Sequence, residues 1–151
     1  MGLKVAADEA LPETFRVYPL EDDPEFYFIV HISWTLDEMR ETMRATLGLD
    51  AADVLACCYA VSAEDNARYA GLLGFLFFAR ERMGSGIVAH ELVHAGFRTA
   101  DASGVHIIHS DRRKDDAGLE WTNENEEQYA DVVETLTKQF WREAYARGLA
   151  D

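Results

Sequence analysis

Gly71-Leu72-Leu73-Gly74-Phe75-Leu76-Phe77-Phe78-Ala79-Arg80 is an almost unbroken apolar run, and beyond Met83-Gly84-Ser85-Gly86 the pattern changes to Ile87-Val88-Ala89-His90-Glu91-Leu92-Val93-His94-Ala95. A short apolar run rich in aromatic residues and bounded by glycine reads as a buried strand. The segment after it reads as a short helix, with Ser85 as its N-cap and Gly96 as its C′ glycine. Residues four apart stack on one helix face, so His90 and His94 can offer two imidazoles to one metal ion while Glu91 stands beside them. A strand feeding a helix that carries H-E-x-x-H is the unit around which the other elements have to be arranged.

Upstream, residues 14–20 and 25–34 are rich in β-branched and aromatic side chains and are separated by Glu21-Asp22-Asp23-Pro24, which predicts two strands and a turn. Thr35-Leu36-Asp37-Glu38 has the form of a capping box and opens a helix that turns Leu36, Met39, Met43 and Leu47 inward and ends near Gly48. Residues 54–61 form another strand candidate, joined to the apolar run by the polar segment 62–66. Residues 105–110 read as a short strand, 111–118 as a charged loop, and 123 to about 147 as a long amphipathic helix with the apolar stripe Tyr129, Val132, Val133, Leu136 and Phe140. The fold class expected is α+β: a small mixed sheet packed with the H-E-x-x-H helix and a long C-terminal helix. Residues 1–13 show no periodicity and are expected to be a flexible N-terminus, leaving 14–151 as a single domain.

With 151 residues and 48% hydrophobic content, the chain can bury a core without disulfides. No apolar run reaches membrane-spanning length, and the first residues lack the apolar core of a signal peptide and the Ser or Thr of a myristoylation signal. Cys57 and Cys58 are adjacent, which is poor geometry for an ordinary disulfide, and read as core residues of a cytoplasmic protein. His31, alternating with Val30 and Ile32, reads as structural, and Trp34, Trp121 and Trp141 as core or rim aromatics. The net charge of -14 disfavours direct contact with nucleic-acid phosphates and favours basic partners. Its plainest reading is a solvated surface; its sharper reading is mimicry of nucleic acid.

A catalytic zinc ion takes three protein ligands and keeps a fourth position for water, so His90 and His94 need a partner. The metzincin extension would place Gly and His where this chain has Phe97 and Ala100, which excludes that class. Candidates are His106, His109 and the acidic start of the last helix. If Asn123 is the N-cap there, Glu126 falls at N3 and closes a capping box, leaving Glu127 free for metal. Asp131 lies one turn on, where a carboxylate can accept the second N–H of a ligating histidine.

His90-Glu91-x-x-His94 followed by Glu127-x-x-x-Asp131 resembles the gluzincin arrangement of thermolysin-like peptidases, and Glu127-Gln128-Tyr129-Ala130-Asp131 resembles the E-x-x-A-N/D signature of the small ImmA/IrrE-type metallopeptidases associated with phages and mobile elements. The resemblance covers mainly residues 71–137 and implies a minimal zincin-like domain. It also implies that an extended strand before the motif helix lines the substrate groove, a role that residues 74–80 would fill. SprT-like metallopeptidases use a third histidine and would recruit His106 or His109 instead.

These readings lead to a zinc-dependent metallopeptidase acting on a protein or peptide. Zinc lowers the pKa of its water toward about 7 and polarises a carbonyl. Glu91 would take the proton from that water as general base and return it to the leaving amine. His106, His109, Arg98 and Tyr129 are the candidate donors to the oxyanion. The alternative is an acidic binding protein or DNA mimic that engages a basic partner, its metal site structural or vestigial.

Overall fold

The computed structural model describes residues 13–103 and 123–150, the side chains of 123–125 excepted. Four strands, β1 (Thr14–Val17), β2 (Tyr27–Ser33), β3 (Ala56–Ala60) and β4 (Leu72–Ala79), form one sheet in the order β1-β2-β4-β3. β2 and β4 run parallel, whereas β1 pairs with β2 and β3 with β4 antiparallel, so the sheet is mixed and the fold is α+β. Four α-helices accompany it among the described residues: α1 (Leu36–Leu47), α2 (Ala63–Arg68), α3 (Ser85–Ser103) and the long C-terminal α4 (Asn123–Ala146). The N-terminal segment 1–12, the expected strand 105–110, the charged loop, His106, His109 and Trp121 lie outside the described residues.

Every residue of β4 is buried, which requires cover on both sheet faces. On one face Val30, Leu76 and Phe78 meet Val88, Leu92 and Ala95 of α3 together with Leu136 and Phe140 of α4. On the other, Ile29, Phe75 and Phe77 meet Met39 and Met43 of α1, with Leu36 and Leu47 at the margin. His31 belongs to this second face, buried and stacked 5.1 Å from the Phe77 ring, with Nδ1 3.4 Å from Thr14 Oγ1. The expected capping box of α1 is present, Thr35 accepting from the Glu38 amide while the Glu38 carboxylate accepts from the Thr35 amide, and the helix ends at Gly48. Trp141 packs on Phe140, while Trp34 is 62% exposed beneath the Arg80 guanidinium.

Three local expectations need correction. The polar segment after β3 is more than a connection: Ser62 caps α2 by accepting from the Asp65 amide at 3.1 Å. Gly96 does not end the motif helix, because α3 runs on to Ser103. Its value lies in having no side chain where α4 crosses. A Cβ at Gly96 would stand 2.8 Å from Val133 Cγ2 and 3.0 Å from Tyr129 Cε2. Nor does Ser85 stand before the helix as its cap, since the first helical bond runs from the Val88 amide to the Gly84 carbonyl at 3.1 Å.

The crossing at Gly96 sets two effects against each other. Alanine gains about 1 kcal/mol of helix propensity over glycine, whereas overpacking a tight contact costs about 1–3 kcal/mol. Gly96→Val adds bulk without alanine's propensity gain. Urea denaturation of the two variants is expected to show a small net change for Gly96→Ala and a loss of about 2 kcal/mol or more for Gly96→Val. Equal stability of Gly96→Val and the parent would mean that α3 and α4 do not meet there.

Candidate metal centre

The helical spacing of His90 and His94 brings their Nε2 atoms to 3.2 Å, with ring centroids 4.8 Å apart and the rings nearly perpendicular. One neutral ring donating to the other makes this a hydrogen bond. Two nitrogens each 2.0–2.1 Å from a tetrahedral zinc ion stand about 3.3 Å apart, so the same convergence fits two ligands of one zinc. Both rings are exposed, whereas Glu91 turns inward and is only 9% exposed.

Glu91 faces β3. With His90, Gly86 and Ile87 it lines a cavity of about 360 Å³ whose other wall is Leu55 and Ala56 at the start of that strand. The thiols of the same strand register the carboxylate. Burial first, then the Glu91 charge, pushes Cys57 up to about 11 and Cys58 up to about 12, with Arg98 pulling Cys58 slightly back. Both cysteines are free and partly buried. They are held as neutral thiols near pH 7, which suits packing better than metal binding or nucleophilic attack.

Beside Glu91, β3 rather than β4 is the strand with an unpaired outer edge among the described residues. β4 is paired on both sides, by β2 and β3, so the groove expected along residues 74–80 has no free backbone edge. β3 has no strand partner on its outer side among the described residues. The Val61 amide donates to the Leu73 carbonyl at 3.1 Å, and antiparallel alternation from that pair turns the amides and carbonyls of Ala56, Cys58 and Ala60 away from β4. The family resemblance implied a groove along the segment adjacent to the motif. The signal against that choice was present: an all-apolar strand is covered on both faces and belongs inside a sheet.

The remaining candidates separate by position. Tyr129 donates from its hydroxyl to the Val93 carbonyl at 3.3 Å and stacks on Phe97 at 5.0 Å, which brings it alongside the His90–His94 turn. Burial raises its pKa, so the phenol keeps its proton at neutral pH. Arg98 is drawn to the end of β3, Nη2 donating to the Val61 carbonyl at 2.9 Å and Nη1 pairing with Asp101 at 3.3 Å, while its Nε is buried without a hydrogen-bond partner among the described residues. Glu126, Glu127 and Asp131 are exposed on α4. Asp131 lines a different cavity, against the β1–β2 loop. Among the described residues no three His, Cys, Asp or Glu side chains form a group able to hold a metal ion, so Glu127 is not assembled with His90 and His94.

Because the folded thiols ionise above the ordinary value of 9.0, their contribution to stability is intact below pH 9 and is lost as pH rises toward 11–12. Removing the negative charge at position 91 eases that ionisation. Glu91→Gln is expected to speed iodoacetamide modification of Cys57 and Cys58 at pH 9, followed by mass spectrometry in the folded protein. An unchanged rate would place Glu91 away from β3.

No protein-family model matches this chain, and neither a curated protein nor a solved structure matches it.

Proposed function

We propose that the protein is a zinc-dependent metallopeptidase that cleaves an extended protein or peptide segment laid along β3. The observation that carries this reading is the 3.2 Å convergence of His90 and His94 Nε2 on the helix that also presents Glu91 to the cavity beside β3. When bound, zinc polarises a carbonyl and makes water nucleophilic near neutral pH. His90 and His94 hold two of its positions. Glu127 is carried forward as the third ligand with Asp131 behind it, and Glu126, His106 and His109 are its competitors.

Glu91 accepts the proton of the attacking water and passes it to the leaving amine nitrogen. Its buried setting limits competing solvent while leaving the cavity side open. Tyr129, a protonated phenol beside the same helix turn, is the described donor best placed to serve the oxyanion once substrate displaces its bond to Val93. The outward amides and carbonyls of Ala56, Cys58 and Ala60 would pair with the substrate backbone as an added strand. No helix among the described residues is long and apolar enough to cross a membrane. A cytoplasmic setting completes the reading, since it keeps Cys57 and Cys58 reduced.

Metal analysis of purified protein tests the centre. The expected result is one zinc per chain, lost in His90→Ala and His94→Ala but kept in Glu91→Gln, which abolishes hydrolysis. Substitution of Glu127, Glu126, His106 and His109 in turn identifies the third ligand by loss of zinc. No bound metal under zinc-replete conditions overturns the proposal.

The strand edge has its own test. Proline at position 60 removes an outward amide without removing a bond to β4. Ala60→Pro is expected to raise KM about fivefold to tenfold, the size of one lost hydrogen bond, with kcat and zinc content unchanged. An unchanged KM for a long peptide would remove β3 from the substrate path.

A second reading, an acidic protein that binds a basic partner, is favoured by the net charge of -14. Glu91→Gln separates it from the first, because a binder keeps its activity after that change.

A further inference from the structure

Away from the histidines, a cavity of about 660 Å³ lies between the β1–β2 loop, the end of α3 and the first half of α4. Its floor is apolar: Leu20 packs on the core, and Ala100 and Val132 are buried. Its rim is acidic. Glu21, Asp22 and Asp23 stand on the loop, and Asp131 and Glu134 on the helix. Lys138 is the single basic side chain lining it among the described residues, and it is already paired with Glu134.

The wall is fixed before any ligand arrives. Gln139 on α4 accepts from the Tyr18 amide at 2.7 Å and donates to the Tyr18 carbonyl at 2.8 Å, and the loop closes through the Asp23 amide on the Leu20 carbonyl at 3.1 Å. A preformed groove spares a ligand the cost of ordering it. Ala100 lies ten residues beyond His90 on α3, about 15 Å along the axis; the groove shares no lining residue with the cavity beside Glu91, and Tyr129 and Asp131 form part of its α4 wall.

We infer that this groove is the docking site for a basic segment of a partner protein, with Lys or Arg side chains meeting the rim and an apolar side chain covering Leu20, Ala100 and Val132. The inference rests on the second functional reading, a basic partner, and gives that partner a place. Charge complementarity selects the occupant: five carboxylates face one lysine around the groove, on a chain of net charge -14. The apolar floor distinguishes it from a merely solvated acidic face, since a soluble polycation gains nothing from covering it.

The probe is a fluorescein-labelled decapeptide alternating Lys and Leu, titrated by anisotropy against the full chain. Binding is expected to weaken about tenfold between 50 and 500 mM NaCl, as screening shortens the reach of the rim charges. The triple loop variant Glu21→Gln, Asp22→Asn, Asp23→Asn is expected to weaken it at least about tenfold. Lys138→Gln, which removes the opposing cation, is expected to tighten it, a gain that a misfolded variant cannot produce. Equal binding of an all-Lys decapeptide would reduce the effect to surface charge, and displacement by spermidine at equal concentration would make this a polyamine site; either overturns the inference. Tighter peptide binding after charge reversal of Arg112, Arg113 and Lys114 would assign the groove to this chain's own basic run and also overturn it. Binding unchanged in the loop variant removes the groove but leaves the basic-partner reading standing, whereas no binding by any variant removes both.

Discussion

The burial of β4 on both faces is the constraint from which the rest of the architecture follows. Leu72, Leu73, Phe75, Leu76, Phe77 and Phe78 are at most 1% exposed, and each contributes about 1.5–3 kcal/mol when removed from water. One backbone hydrogen bond contributes about 1 kcal/mol net, so cover for this strand outweighs any single edge contact. α1 therefore closes one face while α3 and α4 close the other. β3, which carries the two cysteines and an exposed alanine, is left at the edge. That edge lies beside Glu91 because α3 follows β4 through a single turn of 3-10 helix, Arg80–Arg82, and must fold back over the sheet that it leaves.

α3 does two incompatible jobs on one length of helix, and periodicity reconciles them. Val88, Leu92 and Ala95 face the sheet, whereas His90 and His94 stay exposed on another side. Glu91 falls between these directions, which gives it a carboxylate hidden from bulk water but open to the cavity along β3. The extension past Gly96 then brings Tyr129 of α4 against the histidine turn, since only a residue without a side chain allows the two helices so close.

Much of this was legible in the sequence, for identifiable reasons. The capping box at Thr35, the inward methionines of α1 and the apolar stripe of α4 are local patterns with one physical meaning each, and the structure bears them out. Gly96 was misread because a glycine near the end of an apolar pattern looks the same whether it terminates a helix or admits a neighbour. Strand order was illegible for a related reason: pairing is decided by which faces need cover, and adjacency in sequence pointed to β4, whereas among the described residues the outer strands are β1 and β3. In the candidate centre the i, i+4 histidines were readable because helix geometry alone brings them together. A third partner for them was not readable, since bringing a side chain from another element beside α3 depends on tertiary packing that spacing does not encode.

The rotation of α4 sets which of its residues meet α3 and which face the β1–β2 loop. Tyr129 and Val133 point at Gly96, so the helix turns Asp131, Glu134 and Lys138 toward the β1–β2 loop. Glu127 is exposed one turn before Asp131 and is not among the residues that line the groove. A carboxylate there gains by neutralising a cation whether the cation is a metal ion or a basic side chain, and only the first requires the two histidines. The same acidic stripe favours positively charged molecules near the groove. Steering of this kind changes the encounter rate and its salt dependence far more than the rate of the chemical step.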